Sequence, residues 1–427
     1  MKYDVIIVGG GPSGSLAAIQ LMGSGLRVAI LDRAHFPRPK PCGGGIGYRA
    51  YMRFSTIDSV MRSVPTNFVR KLVFQSPSGD AVNIQSPDPL YAMIRRIEFD
   101  NALLDHCKRG GIEVREDVTV SRVSVGGESA LLTSTSGETF EAELVIGADG
   151  VNSTVAVHSG LRSSWQPAQV AIDGTEESPL ADLSVRQDTM YVYYGIGGVY
   201  GYGYVFPKST YVNFGMGYLL EYFKNEIPGK LYEGHLQFLH HLKQAGVISG
   251  DSEKRNFHAY ILPVGGPLKN ISSNRILLAG DAAGFVNGFT GEGIYYAMVS
   301  GEHAGRVALE AIKKRDTSVE FLRQYDSACD AEVGRELRRS VSIRKRLFSN
   351  PKRIDSVVRL ARRSPFIRTL ITEFCVGEVS YEEAKRRAIF HALPGYLLYK
   401  AETLRFPSFS QLFQGRCEKD NEPTNPN

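Results

Sequence analysis

The stretch that most constrains this chain is its start. Tyr3-Asp4-Val5-Ile6-Ile7-Val8 carries no charge after Asp4, which reads as a strand buried on both faces. It runs straight into Gly9-x-Gly11-x-x-Gly14 and a helix-like segment, Ser15 to Ser24. In such a turn the first glycine permits the tight bend, the second lets backbone approach a pyrophosphate, and the third lets helix and strand pack closely. The helix N-terminus adds unpaired N–H groups and a partial positive charge. A second strand, Val28-Ala29-Ile30-Leu31, ends in Asp32, at the offset of an acid that hydrogen-bonds a ribose. Together these features predict dinucleotide binding on a Rossmann-like α/β sheet.

The 427 residues leave room for more than one domain. With 43% hydrophobic and 22% charged residues, the composition is that of an ordinary folded protein. No apolar run approaches the ~18 residues of a membrane span, and the first strand leaves no space for a signal peptide, so a cytoplasmic protein is expected. Cys42, Cys107, Cys329, Cys375 and Cys417 are scattered and lack paired spacing, so neither a disulfide framework nor a metal site is expected. A net charge of +5 does not point to nucleic acid. Its distribution matters more: between Arg335 and Arg368 lie 12 Lys or Arg residues against only Glu336 and Asp355.

Along the chain, residues 33–47 hold three prolines and then four glycines, ending Pro41-Cys42-Gly43-Gly44-Gly45-Ile46-Gly47. This is a loop with a cysteine on its rim; it suits the face of a flat cofactor or a flexible connector equally. Leu72 to Ile84 reads as a hairpin turning at Ser78-Gly79-Asp80, and Arg96-Ile97-Glu98-Phe99-Asp100 opens a helix closed by Gly110-Gly111. Short strands follow at Ile112 to Val114 and Val118 to Val123. Leu144 to Gly150 is another buried strand ending in a glycine turn.

From about Ser164 to Pro263 helical periodicity fades and aromatic alternation replaces it, with Tyr200, Tyr202, Tyr204 and Phe206 on one face of a strand and Tyr211 to Gly217 pairing with it. Such a face serves as core, or as the wall of a hydrophobic ligand site. A third strand and glycine turn comes at Arg275 to Gly284, and Thr290-Gly291-Glu292-Gly293-Ile294 opens a helix from about Tyr295 to Ala311. Glu292 reads as a first-turn carboxylate favoured by the helix dipole rather than as a catalytic acid. Basic helices are expected beyond Thr317, then a disordered tail at 415–427.

Taken as a set, Gly9-x-Gly11-x-x-Gly14, Arg96-x-x-Phe99-Asp100, Gly147-Ala148-Asp149-Gly150 and Ala279-Gly280-Asp281-Ala282 resemble the FAD-binding motifs of the para-hydroxybenzoate-hydroxylase-like flavoproteins. Within that group, Lys40-Pro41-Cys42-Gly43-Gly44, Tyr202-Gly203-Tyr204-Val205-Phe206-Pro207 and Thr290-Gly291-Glu292-Gly293-Ile294 look like the geranylgeranyl reductase family, over roughly residues 1–310. One position departs: the family's aromatic strand usually reads Tyr-x-Trp-x-Phe-Pro, and Tyr204 stands where the Trp would be.

The resemblance implies a discontinuous Rossmann-like FAD-binding domain (1–70, 90–163 and 264–316), an inserted antiparallel β-sheet substrate domain (71–89 and 164–263) and a C-terminal helical region (317–414). It implies FAD held by Gly9, Gly11, Ser13 and Gly14 at the pyrophosphate, Asp32, Arg33 and Val120 around the adenosine, and Arg96 over the cofactor. Asp281 would hold the ribityl chain, Gly293 and Ile294 would meet the isoalloxazine, Asp149 and Gly291 would be further cofactor-binding residues, and Cys42, Gly43 and Gly45 would line the flavin near the substrate. Tyr202, Tyr204, Phe206 and Pro207 would hold a polyprenyl chain whose double bonds are saturated, with Cys42 the candidate proton donor. Electrons would come from NAD(P)H, or from a protein or quinol donor, and the basic 335–368 segment would touch a membrane peripherally. The competing readings are a flavin-dependent monooxygenase or halogenase on the same fold, and a non-enzymatic prenyl-binding escort protein.

Overall fold

The computed structural model describes residues 2–391 apart from 197–198, 228, 376–378 and 381; the 415–427 tail and the end of the expected helical region lie outside the described residues. Residues 1–378 pack as one compact unit, and in the second unit residues 382–391 form a helix.

The opening strand, Lys2–Val8, lies inside an eight-stranded sheet, flanked in parallel by Val28–Leu31 and by Thr139–Gly147. Val5, Ile6 and Ile7 are fully buried, as a strand covered on both faces requires. Ile276–Leu278 extends the sheet in parallel beyond Thr139–Gly147. The glycine turns after three of these strands therefore open at one end of the sheet.

The first helix spans Pro12–Leu21, earlier than its sequence suggests. Pro12 fits the first turn, where its missing N–H costs nothing. The helix stops because Met22 is extended, Ser24 Oγ caps the Leu21 carbonyl, and Gly23 and Gly25 adopt positive φ.

A second, seven-stranded sheet takes its strands in the order Phe257–Pro263, Val170–Pro179, Tyr211–Leu219, Val199–Pro207, Thr189–Ile196, Lys71–Gln75 and Ala81–Gln85. The hairpin at residues 71–85 thus joins the aromatic sheet, with Lys71–Gln75 parallel to Thr189–Ile196.

Within this region the fading of helical periodicity is overturned by two helices, Leu220–Glu226 and Leu231–Gln244. The second buries His235, Phe238, Leu239 and Leu242 against the sheet. That spacing is helical, and the surrounding aromatic alternation obscured it. The glycines of the aromatic strand face this packing: a Cβ on Gly203 would come within 3.0 Å of Phe238, and one on Gly201 within 2.8 Å of Tyr218. The close approach that they permit is therefore filled by the chain itself.

The long helix Ile294–Lys314 lies across the first helix with almost no side chain between them. A Cβ on Gly301 would stand 2.1 Å from the Ser13 carbonyl oxygen, and one on Gly305 2.3 Å from that of Ala17. Gly301→Ala should therefore lower stability by about 2 kcal/mol or more, in the range of overpacked cores. Gly23→Ala, which meets open space at a φ of +69°, should cost only about 1 kcal/mol. Chemical denaturation of both variants measures the contrast.

Candidate active site

Two cavities meet where the glycine turns face the aromatic sheet. The first, of about 490 Å³, is walled by Gly9, Gly11, Ser13, Asp32, Arg33, Arg96, Val120, Asp149 and Asp281, so the acids and glycines of several separated turns share one space. Its floor suits a dinucleotide. Gly9 has a φ of +105°, and a Cβ on Gly14 would fall 1.8 Å from the Gly9 carbonyl oxygen, whereas one on Gly11 would meet nothing nearer than Arg38 at 3.6 Å. The first and third glycines thus make the fold, and the second leaves backbone open to a ligand. Asp32 accepts hydrogen bonds from the Gly10 N–H at 2.6 Å and the Ala34 N–H at 2.8 Å, which anchor it beside the turn.

Arg96 is buried and makes two 2.7 Å bonds to Asp100. Burial pulls its pKa down; Asp100 and, more weakly, Cys42 outweigh that and hold it above the ordinary arginine value. Asp149 is committed locally. Its carboxylate accepts from Ser153 Oγ and from the N–H groups of Thr154 and Val155, capping the helix Thr154–His158 at the cavity edge.

The second cavity, of about 260 Å³, is largely apolar. Tyr200, Tyr202, Tyr204 and Phe206 all line it, joined by Cys42, Gly43 and Gly45. The rings run in succession, with centroids 5.9 Å apart for Tyr202 and Tyr204 and 4.8 Å for Tyr204 and Phe206. Tyr194, buried outside the lining, meets Tyr202, Phe289 and Phe348, which all line the cavity. Pro41, Cys42, Gly291, Gly293 and Ile294 belong to both cavities, so the spaces adjoin at the cysteine loop and at the start of the Ile294–Lys314 helix. That helix has no side-chain cap on its N-terminal amides, so they remain available to negative charge at the junction.

Comparison with known proteins agrees with this geometry. An FAD binding domain profile matches residues 2–194. Digeranylgeranylglycerophospholipid reductase 1 of Methanococcoides burtonii is 28% identical over 82% of this chain and 84% of its own length. An uncharacterized protein of Methanosarcina barkeri is 31% identical over 73% of this chain and 76% of its own. A geranylgeranyl bacteriochlorophyll reductase-like protein from Thermoplasma acidophilum shares the fold, with a TM-score of 0.76 at 22% identity, covering 90% of this chain and 98% of that one. The chain belongs to the geranylgeranyl reductase family of FAD-dependent oxidoreductases.

Against that family's pattern, two expected contact residues stand outside both cavity walls. Gly14 closes the turn beneath Gly9, and Pro207 ends its strand with its carbonyl accepting from Asn67 Nδ2 at 2.8 Å. Gly43 and Gly45 line the apolar cavity and not the dinucleotide cavity. Their lack of side chains admits the aromatic wall: a Cβ on Gly43 would come within 2.8 Å of Phe206.

Glu292 corrects its sequence reading. It precedes the Gly293 N-cap instead of sitting in the first turn, and it accepts a 3.3 Å bond from the Gly47 N–H at the cavity junction. Burial, aided by Glu336, pushes its pKa up to about 7.

Sequence reasoning missed two buried groups at the site. Lys208 is fully buried, pairs with Glu177 and donates to the Cys42 carbonyl at 3.4 Å, fastening the cysteine loop to the aromatic sheet. A lysine placed directly after the aromatic run was its one signal. Asp173 lies beneath Tyr204, whose hydroxyl is 2.9 Å from both Asp173 Oδ2 and Thr175 Oγ1. Its other oxygen has no partner among the described residues, and burial raises its pKa to about 6 despite the Tyr204 bond. The Tyr204 hydroxyl, the departure from the family's Trp, is the hydrogen-bond donor to this acid. Nothing in the local sequence announces the pair, because its members are 31 positions apart.

Both acids have folded pKa values above their ordinary 3.8 and 4.5. Each neutral form is therefore favoured by folding, and the associated stability is present at low pH and lost as pH rises through the folded value. Asp173→Asn and Glu292→Gln should each remove part of that loss. The melting temperature of wild type relative to the variants should fall as pH climbs from about 4 to about 7 and then level off, a trend read by thermal melts across that range.

Proposed function

We propose that the protein saturates carbon–carbon double bonds of a geranylgeranyl or other polyprenyl chain laid along the aromatic wall. The observation that carries this reading is the junction of the two cavities at Cys42 and the Gly291–Ile294 turn. The apolar lining suits an isoprenoid chain, and the name of the Methanococcoides relative specifies digeranylgeranylglycerophospholipid as that protein's substrate. Gly11, Ser13, Asp32, Arg33, Val120 and Asp281 line one cavity with Arg96 and Asp149, and in this reading they would hold FAD there. Reduced FAD, when bound, supplies the hydride taken up by one alkene carbon.

The chain's own residues do the rest. The Tyr202, Tyr204 and Phe206 rings exclude water and orient the alkene, as its reduction demands. The second alkene carbon needs a proton. Cys42 stands at the junction, with the Gly44 N–H 3.4 Å from its Sγ and its loop held by Lys208. We assign Cys42 the proton-donating position. The proton that Cys42 gives to that carbon is restored from solvent.

The basic segment supports peripheral contact with an anionic membrane, where isoprenoid lipids reside. In the helix Pro351–Arg363, Val357 and Leu360 are exposed among Arg353, Arg359, Arg362 and Arg363. Arg359 and Arg362 also pair with Asp80, and Arg335 and Arg338 with Asp330, so part of the cationic charge is already engaged. Among the described residues no helix is long and apolar enough to cross a membrane.

The test is anaerobic turnover. Protein carrying reduced FAD, incubated with a geranylgeranyl lipid, should yield product heavier by H₂ per bond saturated, read by mass spectrometry. Cys42→Ser should slow turnover by about tenfold or more while retaining the flavin's visible absorption. Full turnover in that variant would remove Cys42 from the reaction, and unchanged lipid with wild type would refute the reductase reading.

A further inference from the structure

Arg344 is a buried arginine that lines a cavity without meeting an acid among the described residues. It sits on the inner face of the helix Arg335–Phe348, among Leu337, Ser340 and Ile343. Ser340 fastens that helix to the cavity loop by accepting from the Gly288 N–H at 2.7 Å. Arg344 is 5% exposed and lines the apolar cavity beside Phe289 and Phe348. Its single hydrogen bond among the described residues runs from Nη1 to the Val264 carbonyl at 2.8 Å, and its buried Nε has no partner.

Arg96, in the adjoining cavity, meets Asp100; Arg162, likewise buried with one bond to a carbonyl and an unpartnered Nε, lines neither cavity. No carboxylate pairs with Arg344 among the described residues. The acids that share its cavity answer to other groups, Asp173 to Tyr204 and Glu292 to Gly47. Burial, with nothing to offset it, brings the Arg344 pKa down to about 10, so the group is still charged at neutral pH.

A buried, charged guanidinium with idle donors is costly unless something supplies an acceptor. Its planar fork matches the oxygens of phosphate. Apart from Asp173 and Glu292, the cavity is mainly aromatic and apolar, which free phosphate would not fill.

We propose that Arg344 binds the phosphate or diphosphate of a prenyl phosphate ester whose chain lies along the aromatic wall. This rests on the isoprenoid reading of the cavity and adds to it the anionic end of the substrate.

Calorimetric titration of the FAD-loaded protein with geranylgeranyl phosphate and with geranylgeraniol tests it. Wild type should bind the phosphate about tenfold or more tightly than the alcohol, the scale of one charge-assisted contact. Arg344→Met should bring that ratio near one, chiefly by weakening the phosphate, and Arg344→Lys should keep part of it. An unchanged ratio in Arg344→Met overturns the assignment. Should that variant fail to fold, equal affinity of wild type for the two ligands overturns it instead. Displacement of the prenyl phosphate by an equal concentration of inorganic phosphate would refute a chain-linked anion. If wild type binds the alcohol but without phosphate preference, this inference alone falls; if it binds neither, the isoprenoid reading falls with it.

Discussion

The backbone contact between the first helix and the Ile294–Lys314 helix underlies the rest of the site. Gly301 and Gly305 let the two axes approach until carbonyl oxygens of one meet Cα atoms of the other. Ser300 Oγ accepts from the Gly280 N–H at 3.0 Å, locking the third cofactor turn onto the same helix. Because both helices start at the same end of the sheet, this contact brings two helix N-termini to one cavity, and each contributes partial positive charge. A larger residue at either glycine would separate the helices and open the cavity between them.

A second constraint joins the two sheets. The Cys42 loop must stand against the aromatic wall while facing the dinucleotide cavity. Gly43 permits the contact with Phe206, Gly44 adopts a φ of +72°, and Lys208 grips the loop from the far side. Glu177 neutralises Lys208 and also binds Arg95 at 2.9 Å. The pull of both cations outweighs burial and holds the Glu177 carboxyl below its ordinary range. A buried ion pair adds little net stability; its value here is in setting the position of the loop.

Polar groups inside an apolar cavity are where the physical cost of function is visible. Asp173 and Arg344 are each enclosed with one polar atom unpartnered among the described residues, and Glu292 stands beside them with its pKa raised. A packed core would replace them. Their retention in one cavity, between an aromatic wall and a helix N-terminus, is the mark of a site built to meet a ligand.

The cofactor half was legible from local signals. Buried strands running into glycine turns, with acids at fixed offsets, are nearest-neighbour patterns, and most of the residues they named, though not Gly14, gather in one cavity. The aromatic strand was legible for the same reason, since period-two alternation specifies a face whatever lies opposite. The Leu231–Gln244 helix could have been read from its own spacing, but its neighbours masked it. What the sequence by itself determined is the class of fold, the kind of cofactor and the ringed face. Only the tertiary structure decided which long-range partners meet: Tyr204 with Asp173, Lys208 with Glu177 and Cys42, and Arg344 with no acid among the described residues. Such pairings depend on strand register and helix docking, which bring together residues far apart in the chain, and no local pattern encodes them.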